Sequence, residues 1–222
     1  MIVVIGALGL RGSVHEPVPD GLAPEIARAA AAAGARVELI SKAGDDPAGD
    51  AVLIALASAG VGHVATLRDA SRHTPVRSLP DEPTDPADPA LDLDVGAERN
   101  GHEGTPVELP EPADAQPALD AADVELALRY LTDFEVVVAV HASPPLLAEA
   151  VKAAGWSSAR LVVVTPPEAD VPPGVPGDAL IVAAAADDAE GVGARIGRYA
   201  AALSRGDDAA VAYRDLTAAP SA

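Results

Sequence analysis

Cysteine is absent from the 222 residues, which excludes disulfides, thiolate metal sites and a cysteine nucleophile. Aromatic residues make up only 2% of the chain while apolar residues reach 49%, so a core must be assembled from Ala, Val, Leu and Ile. Basic residues are scarce too: 15 against 34 acidic ones, a formal net charge of −19. A surface of that sign repels nucleic acid and anionic membranes, and neither is expected as a partner. Any phosphate site would have to rest on local backbone N–H groups rather than on the overall field. The opening MIVVIGALGLRGSV holds no basic leader, and its apolar run is too short for a signal peptide or membrane span. The expectation is a cytoplasmic protein with one substantial core.

What is present is a repeated alternation of apolar runs and helical spacings. Ile2 to Ile5, stopped by Gly6, reads as a strand buried on both faces. Gly21 to Ala33 reads as an alanine-rich helix with Pro24 in its first turn, where a missing N–H costs little. A strand over Arg36–Ser41 and a helix over Pro47–Ser58 follow, and Val61–Thr66 contains the start of another strand. Later in the chain, helices are expected at Asp123–Leu131, Pro145–Ala154 (closed by Gly155), Gly191–Leu203 and Asp207–Leu216. Strands are expected at Glu135–Val140, Leu161–Thr165 and Ala179–Val182, with a proline-rich loop over Pro166–Gly177. Such alternation predicts an α/β fold with a mostly parallel sheet covered by helices.

Residues 81–118 break this pattern. They hold eleven acids, seven prolines and a single base, Arg99, with no sustained apolar period. A segment so composed cannot bury enough surface to offset its ordering entropy, and it reads as a disordered acidic insertion. It divides one α/β domain into an amino-terminal part, 1–80, and a remainder, 119–222. A docking tail for a basic partner is the alternative to a solvated linker.

The stretch Gly34–Gly62, GARVELISKAGDDPAGDAVLIALASAGVG, resembles the amino-terminal half of the ribokinase/PfkB carbohydrate kinases. The resemblance implies a three-layer ribokinase-like sandwich and an ancestry in ATP-dependent phosphorylation of sugar or nucleoside hydroxyls. Gly21, Ala23, Ala27, Gly34 and Gly44 fall at positions matching the family's first glycine pattern, and Gly44–Gly49 is close to its Gly-Asp-Asp turn. Departures fall on the substrate side. Glu25 replaces the asparagine that contacts substrate hydroxyls, Asp20 stands where a first glycine is expected, and Arg11 occupies the place of a sugar-gripping aspartate. A fixed cation in place of an acceptor favours an anionic ligand or an internal carboxylate. His141, at a strand's carboxyl end, is a further substrate-side candidate. The small β lid of the family is reduced or absent, although His63–Leu79 could supply one or two short strands.

The catalytic half admits two registers. In one, Asp187 and Glu190 occupy the family's Asn-x-x-Glu places for metal and phosphate. In the other, Ala185–Ala194, AADDAEGVGA, replaces the Gly-Ala-Gly-Asp turn, with Asp188 as the base and Gly191 and Gly193 beside the nucleotide. That turn supplies N–H donors to the transferring phosphate, and alanines in place of its glycines would strain any positive φ. Three functional readings result. The first is a degenerate binding or assembly module without a confident cofactor. The second is a small active kinase using Mg-ATP and Asp188. The third is a Rossmann-like nucleotide-binding protein, resting on Gly6-x-x-Gly9-x-x-Gly12. Missing strands would also leave sheet surface open to a homodimer. No Gly-Lys-Ser/Thr, Gly-x-Ser-x-Gly or paired-histidine spacing supports a P-loop, an esterase or a metal cluster.

Overall fold

The structure, a computed structural model, describes residues 1–77, 116–186 and 189–217. The acidic insertion therefore falls outside the described residues except for its last three, Gln116–Ala118. In chain order the elements are β1 (Ile2–Ile5), β2 (Gly9–Gly12), β3 (Pro17–Asp20), α1 (Leu22–Ala32), β4 (Val37–Gly44), α2 (Pro47–Ser58), β5 (Val61–Gly62), β6 (Thr66–Asp69) and β7 (Val76–Arg77). They continue as α3 (Ala121–Tyr130), β8 (Val136–Val140), α4 (Pro144–Ser157), β9 (Arg160–Thr165), β10 (Leu180–Ala183), α5 (Ala194–Ser204) and α6 (Ala209–Thr217). A π-helical turn over Ala189–Gly193 leads into α5.

The main sheet has seven strands in the order β10-β9-β8-β1-β4-β5, with β6 also on β4, and every pairing is parallel. Strands β5 and β6 lie end to end along the same edge of β4: Val37 and Glu38 pair with β5, and Ser41–Gly44 with β6. The period of two along each strand splits the core cleanly. Ile2, Val4, Leu39, Val136, Val138 and Val162 face Ile26, Val52, Leu56, Ile196 and Ala200 of α1, α2 and α5. Val3, Ile5, Ile40, Val137, Ala139 and Val163 face Val124 of α3 and Leu146, Leu147 and Ala150 of α4. All four residues of β1 are fully buried. The result is the expected three-layer sandwich.

A second sheet, β3-β2-β7, stands apart. Its β2–β3 hairpin is antiparallel and its β2–β7 pair parallel. A lid-like sheet is thus reduced rather than absent; of the two short strands that His63–Leu79 supplies, β7 joins it while β6 pairs with β4 in the main sheet. Gly155 does not close α4 as expected. The helix runs on to Ser157 and ends at Ser158 in the left-handed region, φ 55°. A helix interior accepts glycine at a cost of about 1 kcal/mol when packing and neighbouring residues favour the helix.

Candidate functional site

The chain leaves β1 toward β4 on one side and later returns through α3 to β8 on the other. The sheet order therefore reverses between β1 and β8, and α/β folds open a crevice at the carboxyl ends of the strands at such a point. A cleft of about 570 Å³ lies there. Ile5, Gly6 and Ala7 line it from β1, and Val140, His141, Ala142 and Ser143 from β8. Lys42, Arg72 and the segment Gln116–Leu119 close its other side. The close fit of the β1 end to α1 is set by Gly6, where an added Cβ would come within 2.7 Å of the Ala23 Cβ.

Both cations at the cleft are held in place. The Lys42 ammonium donates to Asp123 of α3 at 2.9 Å, and that hydrogen bond holds it above the ordinary lysine value against the opposing effect of burial. Asp123 is itself fixed in a capping box with Asp120 at the start of α3. Arg72 donates to the Gln116 carbonyl at 2.9 Å, and its Nε lies 3.9 Å from Asp69. His141 adopts a left-handed backbone, φ 47°. Its Nε2 lies 2.9 Å from the Ala184 carbonyl oxygen, and its own N–H donates to Val164. It thereby ties the end of β8 to the residue that follows β10. No Asp or Glu is among the described residues lining the cleft.

The Gly-Asp-Asp turn sits beside this cleft as a clasp. Asp46 caps α2 by accepting from the Gly49 N–H at 2.7 Å, and it also accepts from the Thr74 N–H at 2.7 Å and the Thr74 hydroxyl at 2.9 Å. Burial alone would raise its pKa. The bonds from Gly49, Thr74 and His73 prevail and hold the carboxyl below the usual aspartate range. Two glycines permit the approach: a Cβ on Gly44 would meet the Arg72 carbonyl at 2.6 Å, and one on Gly49 the Gly44 carbonyl at 2.3 Å. Arg68 closes the turn from outside, donating to Asp50 at 2.7 Å and Asp45 at 3.2 Å.

The residues proposed from sequence separate into three places. His141 lines the cleft. Arg11 lies in β2, opposite Val18 and Arg77 in the small sheet, and not among the described lining of the cleft. β1 ends at Ile5, so the residues expected at its tip belong to another sheet. Gly21, Glu25 and Gly193 gather where α1 meets α5. Gly21 precedes α1 at φ 113°, Glu25 accepts from Arg28 at 2.8 Å, and a Cβ on Gly193 would lie 3.1 Å from the Glu25 Cγ. Gly193 thus faces α1, while Gly191 is exposed. Asp187 and Asp188 lie outside the described residues, as does the side chain of Glu190.

Lys42, Arg72 and Ser143 were not found from the sequence. β4 runs three residues beyond its expected end, and that extension carries Lys42 to the cleft. Gly9 and Gly12 occupy a strand rather than a phosphate loop opening a helix, which removes the geometric basis of the Rossmann reading. Among the described residues no group of three or more His, Asp or Glu could hold a metal, and no helix is long and apolar enough to cross a membrane.

No protein-family profile matches the sequence, and no curated protein matches it. Solved structures do. A protein from E. coli provisionally named Ribokinase II, in its apo form, is 13% identical over 97% of this chain and 89% of its own, with a TM-score of 0.62. Fructokinase from Xylella fastidiosa is 16% identical over 97% and 68%, with a TM-score of 0.51. A PfkB protein from Polaromonas sp. JS666 is 16% identical over 76% and 56%, with a TM-score of 0.50. Against that protein, and against an uncharacterized sugar kinase from Pyrococcus horikoshii of which it covers 52%, the chain spans little more than half the length. The chain has the ribokinase-like α/β fold.

Proposed function

We propose that this protein is a carbohydrate-kinase-like binding module whose cleft takes a small hydroxylated anion, a phosphorylated or carboxylated sugar, with phosphotransfer lost or impaired. One observation carries the reading. The described lining of the cleft sets Lys42 and Arg72 beside His141 and Ser143, a group of donors that suits an anion. Arg72 keeps donors beyond the one given to Gln116, and a guanidinium suits phosphate and carboxylate geometry. One structure that shares the fold is of a protein named fructokinase, which supports a sugar as the body of the ligand.

The kinase reading, with Mg-ATP and Asp188, draws support from one placement. The segment before Asp187 leaves β10 at its carboxyl end and is held there by His141, and a π-helical turn begins at Ala189. The described residues fit a nucleotide poorly. Gly193 is occupied by packing against Glu25 and Leu22, so its missing side chain serves the α1–α5 contact rather than a phosphate.

Titration calorimetry tests the reading with ribose 5-phosphate and gluconate against ribose and fructose. The anions are expected to saturate one site, and Arg72→Ala to weaken them about tenfold, the value of one charged hydrogen bond. Equal binding of charged and neutral sugars, or no effect of Arg72→Ala, would contradict it.

A further inference from the structure

A second cavity, of about 480 Å³, lies between α5 and α6. Its charged side is built around one helix: Arg195 and Arg198 fall on a single stripe of α5 with Tyr199 and Ala202, and Arg205 caps the helix. Spacings of three, four and seven residues put side chains on one face. The opposite side is apolar, with Val211, Ala212 and Leu216 of α6. A neighbouring cavity of about 440 Å³ shares Arg195 and Leu216 and continues along β10 past Ile181 and Val182.

The charge here, and at the neighbouring cavity that shares Arg195, is uncompensated in a way seen at none of the other described cavities. Asp207 is the one carboxylate of the described lining, and it is engaged by Arg205 at 3.0 Å. Arg195 and Arg198 make no hydrogen bond or ion pair within the described residues. Elsewhere Arg28, Arg68, Arg77, Arg129 and Lys152 each have a carboxylate within 4 Å. Arg36, Arg160 and Arg214 have none either and, like Arg198, are exposed, but they line no described cavity. A chain with 34 acidic residues has carboxylates to spare, yet like charges three residues apart on this helix are left to repel.

We propose that the α5–α6 cavity is a binding site for an amphipathic anion: a carboxylate, sulfonate or phosphate held by Arg195 and Arg198, with an apolar body against Val211, Ala212 and Leu216. Its size suits a ligand of drug-like dimensions, and the division into one apolar wall and a few convergent donors is that of a small-molecule site. Two guanidiniums on a rigid helix hold an anion in fixed geometry with little ordering cost. The site shares no lining residue with the β1–β8 cleft, so the two occupancies are separable.

The test is a fluorescence titration of the full chain with 1-anilinonaphthalene-8-sulfonate, beside N-phenyl-1-naphthylamine, which has the same aromatic body without the sulfonate. One saturable sulfonate site is expected, weakened tenfold or more by Arg195→Ala with Arg198→Ala and unchanged by Arg36→Ala, an exposed arginine that lines no described cavity. The neutral probe should bind weakly and ignore the arginine substitutions. Should the double variant lose its circular-dichroism melt, Val211→Asp offers the same readout: it places a carboxylate at a position already 47% exposed and should weaken the sulfonate to the same degree. Sulfonate affinity that is equal in the wild type and the folded variants, or equal to that of the neutral probe, would overturn the proposal. So would the absence of saturable binding.

Discussion

Asp46 is the residue on which the architecture around the cleft converges. One carboxylate caps α2, fixes the backbone of Thr74 and receives the Thr74 hydroxyl, which in turn accepts from the Gly44 N–H at 2.9 Å. Thr74 is only 3% exposed, so removing its acceptor strands a buried hydroxyl and a buried N–H. Asp46→Ala should cost about 2–3 kcal/mol in urea unfolding, combining a lost cap with lost charge-assisted bonds. The pH dependence has a fixed sign. A carboxyl whose folded pKa is depressed contributes stability above its unfolded value, near about 4, and that contribution vanishes as pH falls through the lower folded value. Wild-type stability should therefore fall more steeply below about pH 4 than that of Asp46→Asn, which has no proton to take up. Parallel acid limbs for the two proteins would show that the clasp carries no such charge.

At the scale of elements, glycines separate two kinds of helix contact. A Cβ on Gly197 of α5 would approach the Ile26 carbonyl at 2.5 Å and the Ala29 Cβ at 2.7 Å. Gly197→Ala must push α5 off α1 and should destabilise by about 1–3 kcal/mol, as overpacked cores do. Gly155 lies within α4 with nothing inside 4 Å of the added atom. Gly155→Ala should instead stabilise by up to about 1 kcal/mol through helix propensity. Thermal melts of the two variants should move in opposite directions, and a stabilised Gly197→Ala would refute the close α1–α5 contact.

The same elements show what the sequence could and could not reveal. β1, β8 and β9 are short apolar runs bounded by turn residues, and burial on both faces leaves no other reading for them. α2 was legible to the residue because Asp46, Pro47 and Gly60 mark its ends. The β2–β3 hairpin was not. Its strands have four residues each, and Pro17 and Pro19 argue against a strand unless it is an edge; β3 is an edge of the small sheet. Missing the hairpin placed Arg11 at the tip of β1. The cleft was illegible for another reason: Lys42, Arg72, Gln116 and His141 meet only through the order of the strands, and no spacing along the chain encodes that meeting. His141 alone was found, because its strand was.

For the whole molecule, charge and topology together motivate the proposed anion sites. A net charge of −19 makes every concentration of positive charge conspicuous, since the surrounding field opposes anions that lack a local reason to bind. The described chain concentrates positive charge at the cleft where the strand order reverses and along α5. The first position belongs to the ribokinase-like fold, and there the described lining brings Lys42, Arg72 and His141 together. Of residues 81–118, the described Gln116, Pro117 and Ala118 line the cleft, three residues ahead of the boundary expected from composition.

The central claim is anion binding at the β1–β8 cleft without transfer of phosphate. Phosphorus NMR of the full chain with Mg-ATP and a panel of neutral sugars, at protein concentrations that saturate the calorimetric ligand, measures it directly. The account predicts ATP signals that decay no faster than in protein-free buffer, for the wild type and for Asp188→Asn alike. A sugar-phosphate resonance that grows with wild-type protein and vanishes in Asp188→Asn would contradict it.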